Sequence, residues 1–198
     1  MEESTKRNKN DYIENDTAAM MTAMVWALRS KDPSTQVGAV FLNEEGRVIS
    51  CGYNGAPNGW SNNEFPWLRA DDITKSKYTY VIHAEMNAIF NHRKDLDSFR
   101  DSTLYVTLFP CSNCAKHIAQ LGVKKVIYLH EPIEKTNDME ATRIIFEKCN
   151  IECTKFNIDD YEKLREVSFD LKNGNARNFS KIKRLNLKIK LNNKKDNE

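Results

Sequence analysis

The chain has 198 residues, with 30 Lys+Arg against 28 Asp+Glu and a formal net charge of +2. With 40% hydrophobic and 10% aromatic residues it is neither disordered nor fibrous, and a body of about 170 residues can bury a full core without disulfides. The charge is unevenly spread: residues 172–198 hold 9 basic and 2 acidic side chains, leaving 21 and 26 for residues 1–171, so an acidic body carries a basic extension.

Residues 1–15 are polar and lack the apolar stretch of a signal peptide. The most apolar run, Ala18 to Leu28, is too short to span a bilayer, so a soluble, cytoplasmic protein is expected, with no membrane partner. Five cysteines, an odd number, fit a reducing compartment and direct attention to reactivity or metal binding.

Asp16 or Thr17 is expected to cap a helix with Met20, Met21, Met24, Val25 and Leu28 on its apolar face, ending before Asp32-Pro33. Two β-rich runs, Val37 to Leu42 and Val48 to Tyr53, joined by Asn43-Glu44-Glu45-Gly46, predict a hairpin. Residues 54–80 read as a long loop with Gly55, Pro57, Gly59 and Pro66, a length that points to function. His83 to about Arg93 reads as a helix with Met86, Ile89 and Phe90 on one face.

Leu104 to Phe109 is then a strand, and Pro110 opens a helix from Cys111 to Leu121, closed by Gly122. Val123 to Leu129 is a strand, Asp138 to Cys149 a helix and Ile151 to Ile158 a strand. The order predicts an α/β fold in one domain, residues 16–171: a mixed sheet of about five strands covered on both faces. Residues 172–198 form a separate extension, in which Leu185, Leu187, Ile189 and Leu191 alternate with polar residues as in a strand over 185–191.

The chemistry concentrates in His83-Ala84-Glu85 and in Pro110-Cys111-Ser112-Asn113-Cys114. Alone, the Cys-x-x-Cys could be a redox pair or half a structural zinc site, and His83 and Glu85 could be ordinary first-turn residues. Together they offer one imidazole and two thiols, the latter at a helix start that favours thiolates. Three protein ligands leave a tetrahedral Zn²⁺ one position for water, as in a catalytic site. Glu85 stands two residues from the His, where it can serve that water without being a ligand. This matches the arrangement of zinc nucleobase deaminases, in which the activated water attacks the ring carbon bearing the exocyclic amine and the Glu moves protons.

Beyond the zinc motif the chain resembles the deoxycytidylate (dCMP) deaminases of the cytidine/deoxycytidylate zinc deaminase family, from about Met20 to Phe156. The matching stretches are Arg29 to Ala39, Gly52 to Gly59, Phe65 to Arg69, Lys77-Tyr78, His83 to Ile89, Tyr105 to Ala115 and Val123 to Tyr128. The resemblance implies a three-layer α/β/α cytidine deaminase-like fold and hydrolysis of dCMP to dUMP and ammonia, feeding thymidylate synthesis. It also implies a homohexamer with dCTP as activator and dTTP as inhibitor. Glu85 would be catalytic, and His83, Cys111 and Cys114 the metal ligands. Asn54 would contact the substrate sugar and the Ala84 N–H the pyrimidine O2. Gly52, Tyr53, Asn54 and Gly55 would lie at an effector site where Mg²⁺ accompanies a triphosphate, although glycines there also suit a turn with positive φ.

For the substrate phosphate, the basic candidates are Arg29, Lys31, Arg69 and Arg143, and we expect Arg29 with Ser30. Trp60, Trp67, Tyr78, Tyr80 and Phe109 are candidates for stacking on a base, or for the core. By the same resemblance, Trp60 and Ile82 stand where relatives can carry cysteines for a second zinc, so one Zn²⁺ per chain is expected. The alternative reading is a deaminase that binds RNA or DNA through the basic extension; the acidic charge of the motif-bearing body argues against it.

Overall fold

A computed structural model describes residues 13–132 and 136–157. The expected strand at 185–191 and the boundary at 171 lie outside the described residues. Five strands form one sheet in the order β2-β1-β3-β4-β5. β1 (Gly38–Leu42) pairs antiparallel with both β2 (Val48–Tyr53) and β3 (Thr103–Leu108), whereas β3, β4 (Lys125–His130) and β5 (Glu152–Lys155) run parallel. The hairpin turn closes as expected: Gly46 takes φ 75° and its N–H donates to the Asn43 carbonyl at 2.9 Å.

The first helix, α1 (Asn15–Ala27), stops before Asp32-Pro33 as expected but differs from its expected form at its start and in its buried face. Its N-cap is Glu14; Asp16 instead accepts from the Tyr105 hydroxyl at 2.7 Å, and Thr17 is buried. The face turned inward is Thr17, Ala19, Met20, Ala23 and Ala27, while Val25 and Leu28 are 50% and 83% exposed. The cause is close packing on the sheet. A Cβ on Gly38 would stand 1.9 Å from the Ala23 carbonyl oxygen, so small residues must face β1.

Helix α3 (Ala84–Asn91) lies on the opposite face of the sheet by the same device. A Cβ on Gly52 would stand 2.3 Å from Ala88 N and 2.6 Å from Ala84 O. Its buried residues are Ala84, Glu85, Ala88 and Ile89, and the expected core residue Phe90 is 61% exposed. Neither Gly52 nor Gly55 has positive φ; close approach, not a turn, explains Gly52. Helices α4 (Ser112–Gln120) and α5 (Asn137–Lys148) add to the α3 side, where Cys114, Ala115, Ile118, Met139 and Phe146 join one core with Phe41, Leu104 and Val126. The result is three layers, with α1 on one side and α3, α4 and α5 on the other.

The expected loop 54–80 contains a 3-10 turn at Ile73–Lys75 and a one-turn helix, α2 (Lys77–Tyr80). The fifth strand ends at Lys155, short of the expected Ile158. No helix among the described residues is long and apolar enough to cross a membrane.

Candidate active site

The sheet topology brings several chain segments to one end. The C-terminal end of β3 leads through Phe109-Pro110 into Cys111, the N-cap of α4. Because β1 runs antiparallel to β3, its start lies beside that end: the Gly38 N–H donates to Thr107 Oγ1 at 3.1 Å. The end of β2 pairs with the start of β1, and the backbone of Gly55 then bonds both ways with Ile82, at 3.0 and 2.9 Å. That bridge holds the residue before His83, the N-cap of α3.

Two helix N-termini therefore meet, and with them the three donor side chains. His83 Nδ1 is 3.3 Å from Cys111 Sγ and 3.4 Å from Cys114 Sγ. A tetrahedral zinc with ordinary Zn–N and Zn–S bond lengths requires N···S edges of about 3.6 Å, so the donor set fits the ion. Among the described residues, His83, Cys111 and Cys114 are the group that could hold a metal.

The protons of the cluster are already arranged toward a thiolate. The Cys111 thiol is pushed down to about 4, first by the hydrogen bond from Cys114 and then by His83, against the cost of its burial. His83 is pushed up to about 9, chiefly by its hydrogen bond with Cys111. Cys114 is raised because its proton is given to Cys111, with burial adding to the effect. Glu85, buried in the first turn of α3, is raised by desolvation, an effect opposed by the charge on His83. Its carboxyl reaches Cys114, so it stands beside the metal position without joining the donor set. The Ala84 N–H lies in the first turn of α3, where an N–H has no intrahelical acceptor.

The other expected residues fall into two places. Arg29, Tyr53 and Gly55, assigned from sequence to different ligands, line one cleft of about 320 Å³ together with Lys31, Trp60 and Asn87. Among the described residues no carboxylate lines this cleft, and its lining includes none of His83, Glu85, Cys111 or Cys114. Ser30 and Asn54 are instead built into the frame. Ser30 Oγ donates to the Asn54 carbonyl at 2.9 Å. The Asn54 amide accepts from Val37 N at 2.8 Å and donates to Thr35 O at 2.9 Å. Arg69 lies over the Tyr78 ring, and Arg143 is paired with Glu131 at 2.6 Å above the Phe109 ring. Trp60 packs edge-on against Phe65 and Tyr80.

Two interactions were not foreseen. Asp138, at the start of α5, accepts from the Ser112 N–H at 3.2 Å and so caps the helix that carries the cysteines. Asp32, read from sequence only as part of a helix stop, forms a buried ion pair with Lys77 at 2.6 Å. The Asp32-Pro33-Ser34 spelling signals only the turn, in which the Asp32 carboxylate accepts from the Ser34 N–H, and not the lysine.

A site of this kind, with one imidazole, two sulfurs and a buried non-ligand carboxyl at two helix starts, defines a zinc-dependent hydrolytic deaminase. The comparisons agree. Residues 13–130 match the family model for the cytidine and deoxycytidylate deaminase zinc-binding region. Deoxycytidylate deaminase of Homo sapiens is 37% identical over 183 residues, covering 92% of this chain and 99% of its own. The Mus musculus enzyme of that name is 39% identical over 86% of this chain and 94% of its own. The crystal structure of dCMP deaminase from the cyanophage S-TIM5, in complex with dCMP and dUMP, superposes with a TM-score of 0.60 at 30% identity. It covers 73% of this chain and 100% of that one. The chain belongs to the cytidine and deoxycytidylate deaminase family.

Proposed function

We propose that the chain hydrolyses dCMP to dUMP and ammonia, supplying dUMP for thymidylate synthesis. The observation that carries the reading is the convergence of His83, Cys111, Cys114 and Glu85 in a chain similar over most of its length to enzymes named for that reaction. His83 Nδ1 and the two sulfurs would hold a zinc ion, which when bound would supply an acidified water. Glu85 would take one proton from that water and give it to the ring nitrogen beside the reacting carbon, then take the remaining proton of the added hydroxyl and give it to the departing amine. Its raised affinity for a proton, caused by burial, suits a group that must both accept and return one. The Ala84 N–H holds the pyrimidine O2. Asn54 keeps one Oδ1 lone pair for a sugar hydroxyl, and Arg29 is the cation for the phosphate.

The same reading assigns the Arg29–Lys31 cleft to a nucleotide effector, with dCTP activating and dTTP inhibiting. Lys31, the Trp60 and Tyr53 rings and the asparagine amides suit phosphates and a base, with Arg29 left to the substrate phosphate, and no acid among the described residues of the lining repels them. Any Mg²⁺ would arrive on the triphosphate, since no carboxylate among the described residues lines the cleft. Assembly as a homohexamer belongs to this reading too, supported by the exposed Val25, Leu28 and Phe90, surface that a second copy would cover.

The test is an absorbance assay of the purified chain with dCMP, CMP, deoxycytidine, cytosine and adenosine, with and without dCTP. dCMP is expected to be the best substrate, with dCTP raising the rate at low dCMP. Preference for a substrate without the 5′-phosphate, or for a base in RNA or DNA, would overturn the assignment.

A further inference from the structure

Among the described residues, 56–80 form the longest stretch outside the main elements, and they are tied down sparingly. Among the described residues, their side-chain hydrogen bonds stay inside the stretch: Trp67 to Asn62 O, Thr74 to Asp72, Thr79 to Ile73 O and Tyr80 to Thr74 O. Lys77 is the exception. Its ammonium donates to both oxygens of Asp32, at 2.8 and 2.6 Å, and to Ser34 Oγ at 2.5 Å. Both charged side chains are only 2% exposed.

Asp32 is in turn fixed from its own side. Its Oδ1 accepts from the N–H groups of Ser34 and Thr35, at 2.9 and 3.1 Å, so the carboxylate is rigidly part of the turn that follows α1. That turn also carries Arg29 and Lys31 into the lining of the cleft, where Gly55 to Trp60 join them. The ion pair ties this turn to α2, and the Tyr80 ring of α2 packs at 5.1 Å on Trp60, so the pair links both lining segments through that ring contact. It costs desolvation of two charges, and apolar residues of similar volume would serve stability about as well.

We propose that Lys77 and Asp32 are positioning residues: their buried pair sets the separation of the cleft walls and so governs nucleotide affinity there, without touching the nucleotide. The inference rests on the reading of the cleft as a nucleotide site. Its physical basis is preorganisation, since a wall free to move must be ordered when the ligand binds.

The test is calorimetric titration of the zinc-loaded full chain with dCTP, using the parent, Lys31→Ala, Lys77→Met and the double variant Asp32→Asn/Lys77→Met. Lys77→Met leaves a lone buried carboxylate, so it should lower both thermal midpoint and affinity. The double variant removes both charges while keeping an acceptor for Ser34 and Thr35. Its midpoint should recover toward the parent, yet dCTP binding should remain about tenfold weaker. A purely structural pair would restore both. Binding by the double variant within roughly twofold of the parent, with Lys31→Ala weakened, overturns the positioning role alone. If dCTP does not bind the parent, or Lys31→Ala binds like the parent, the cleft reading itself fails and the positioning role falls with it. Should the double variant not fold, Lys77→Met decides by its affinity. If neither folds, the pair is a condition of the fold, and the proposal is overturned.

Discussion

His83 Nδ1 stands 3.3 Å from Cys111 Sγ across 28 residues of chain, and the two hold opposite charges near neutral pH. Cys111 is pushed down to about 4 and His83 up to about 9, so the thiolate is present before any metal arrives. Zinc must then displace the protons of His83 and Cys114, the latter also raised. Calorimetry of zinc binding to the metal-free protein at pH 7.5, in buffers of different ionisation enthalpy, should show release of about two protons. Release of about three would mean that Cys111 was a neutral thiol. Affinity should fall as pH is lowered, because protons compete for both groups. Stripping zinc should abolish deamination and re-addition restore it.

Glu85 offers a cleaner separation of metal from chemistry. Its carboxyl is buried and raised by that burial, and it lies outside the donor set. Glu85→Gln should keep one zinc per chain, measured by elemental analysis, while the rate of dCMP deamination falls by about 10²–10⁴-fold. Activity near that of the parent with zinc retained would remove Glu85 from the proton path.

The zinc set and its elements were legible in the sequence because they depend on local spacing. His83 and Glu85 sit in one helix start, Cys111 and Cys114 in another, and the single strand between them, β3, is short and largely apolar. What sequence missed is what close packing decides. Val25, Leu28 and Phe90 have the period of a buried face, yet at Gly38 and Gly52 the backbones of α1 and α3 come so near the sheet that the contacts are made at Ala23, Ala84 and Ala88, and these three large side chains turn outward while Met20 and Ile89 stay buried. Asp32 and Lys77 were opaque for another reason. They lie 45 residues apart, and no local pattern marks a charge whose partner the fold supplies.

The Asp32–Lys77 pair should also appear in the pH dependence of stability. Burial raises the Asp32 pKa, but the bonds from Lys77, Ser34 and Thr35 outweigh it, and the carboxyl ends below its ordinary 3.8. The folded state therefore binds that proton less readily than the unfolded one. The stabilisation is complete above pH 3.8 and is lost as pH falls below it through the folded value. Lys77→Met should cost ~3–5 kcal/mol at pH 7 by denaturant unfolding, and the gap from the parent should narrow as pH falls, because Asp32 without its lysine takes up a proton in the folded variant before it does so in the folded parent. A gap of constant size down to pH 3 would mean that packing of the lysine stem, not the charge, is what the variant lost.

Gly52 tests the close approach that places the catalytic helix. A methyl group there would meet Ala88 N at 2.3 Å and Ala84 O at 2.6 Å, backbone atoms that cannot swing aside. Relief requires α3 to move off β2, and α3 carries Glu85 in its first turn and His83 as its cap. Gly52→Ala should therefore lower stability by about 3 kcal/mol, a fall in thermal midpoint of about 6–12 °C. It should also weaken zinc retention against a chelator, since His83 moves relative to Cys111 and Cys114. Gly55→Ala is the control. Its new methyl would meet only a Tyr53 ring carbon at 3.7 Å, and Gly55 lacks positive φ, so the midpoint should stay within about 2 °C of the parent. If Gly52→Ala keeps the parent's midpoint and zinc, then α3 is not held where this contact puts it, and Glu85 owes its position to another element.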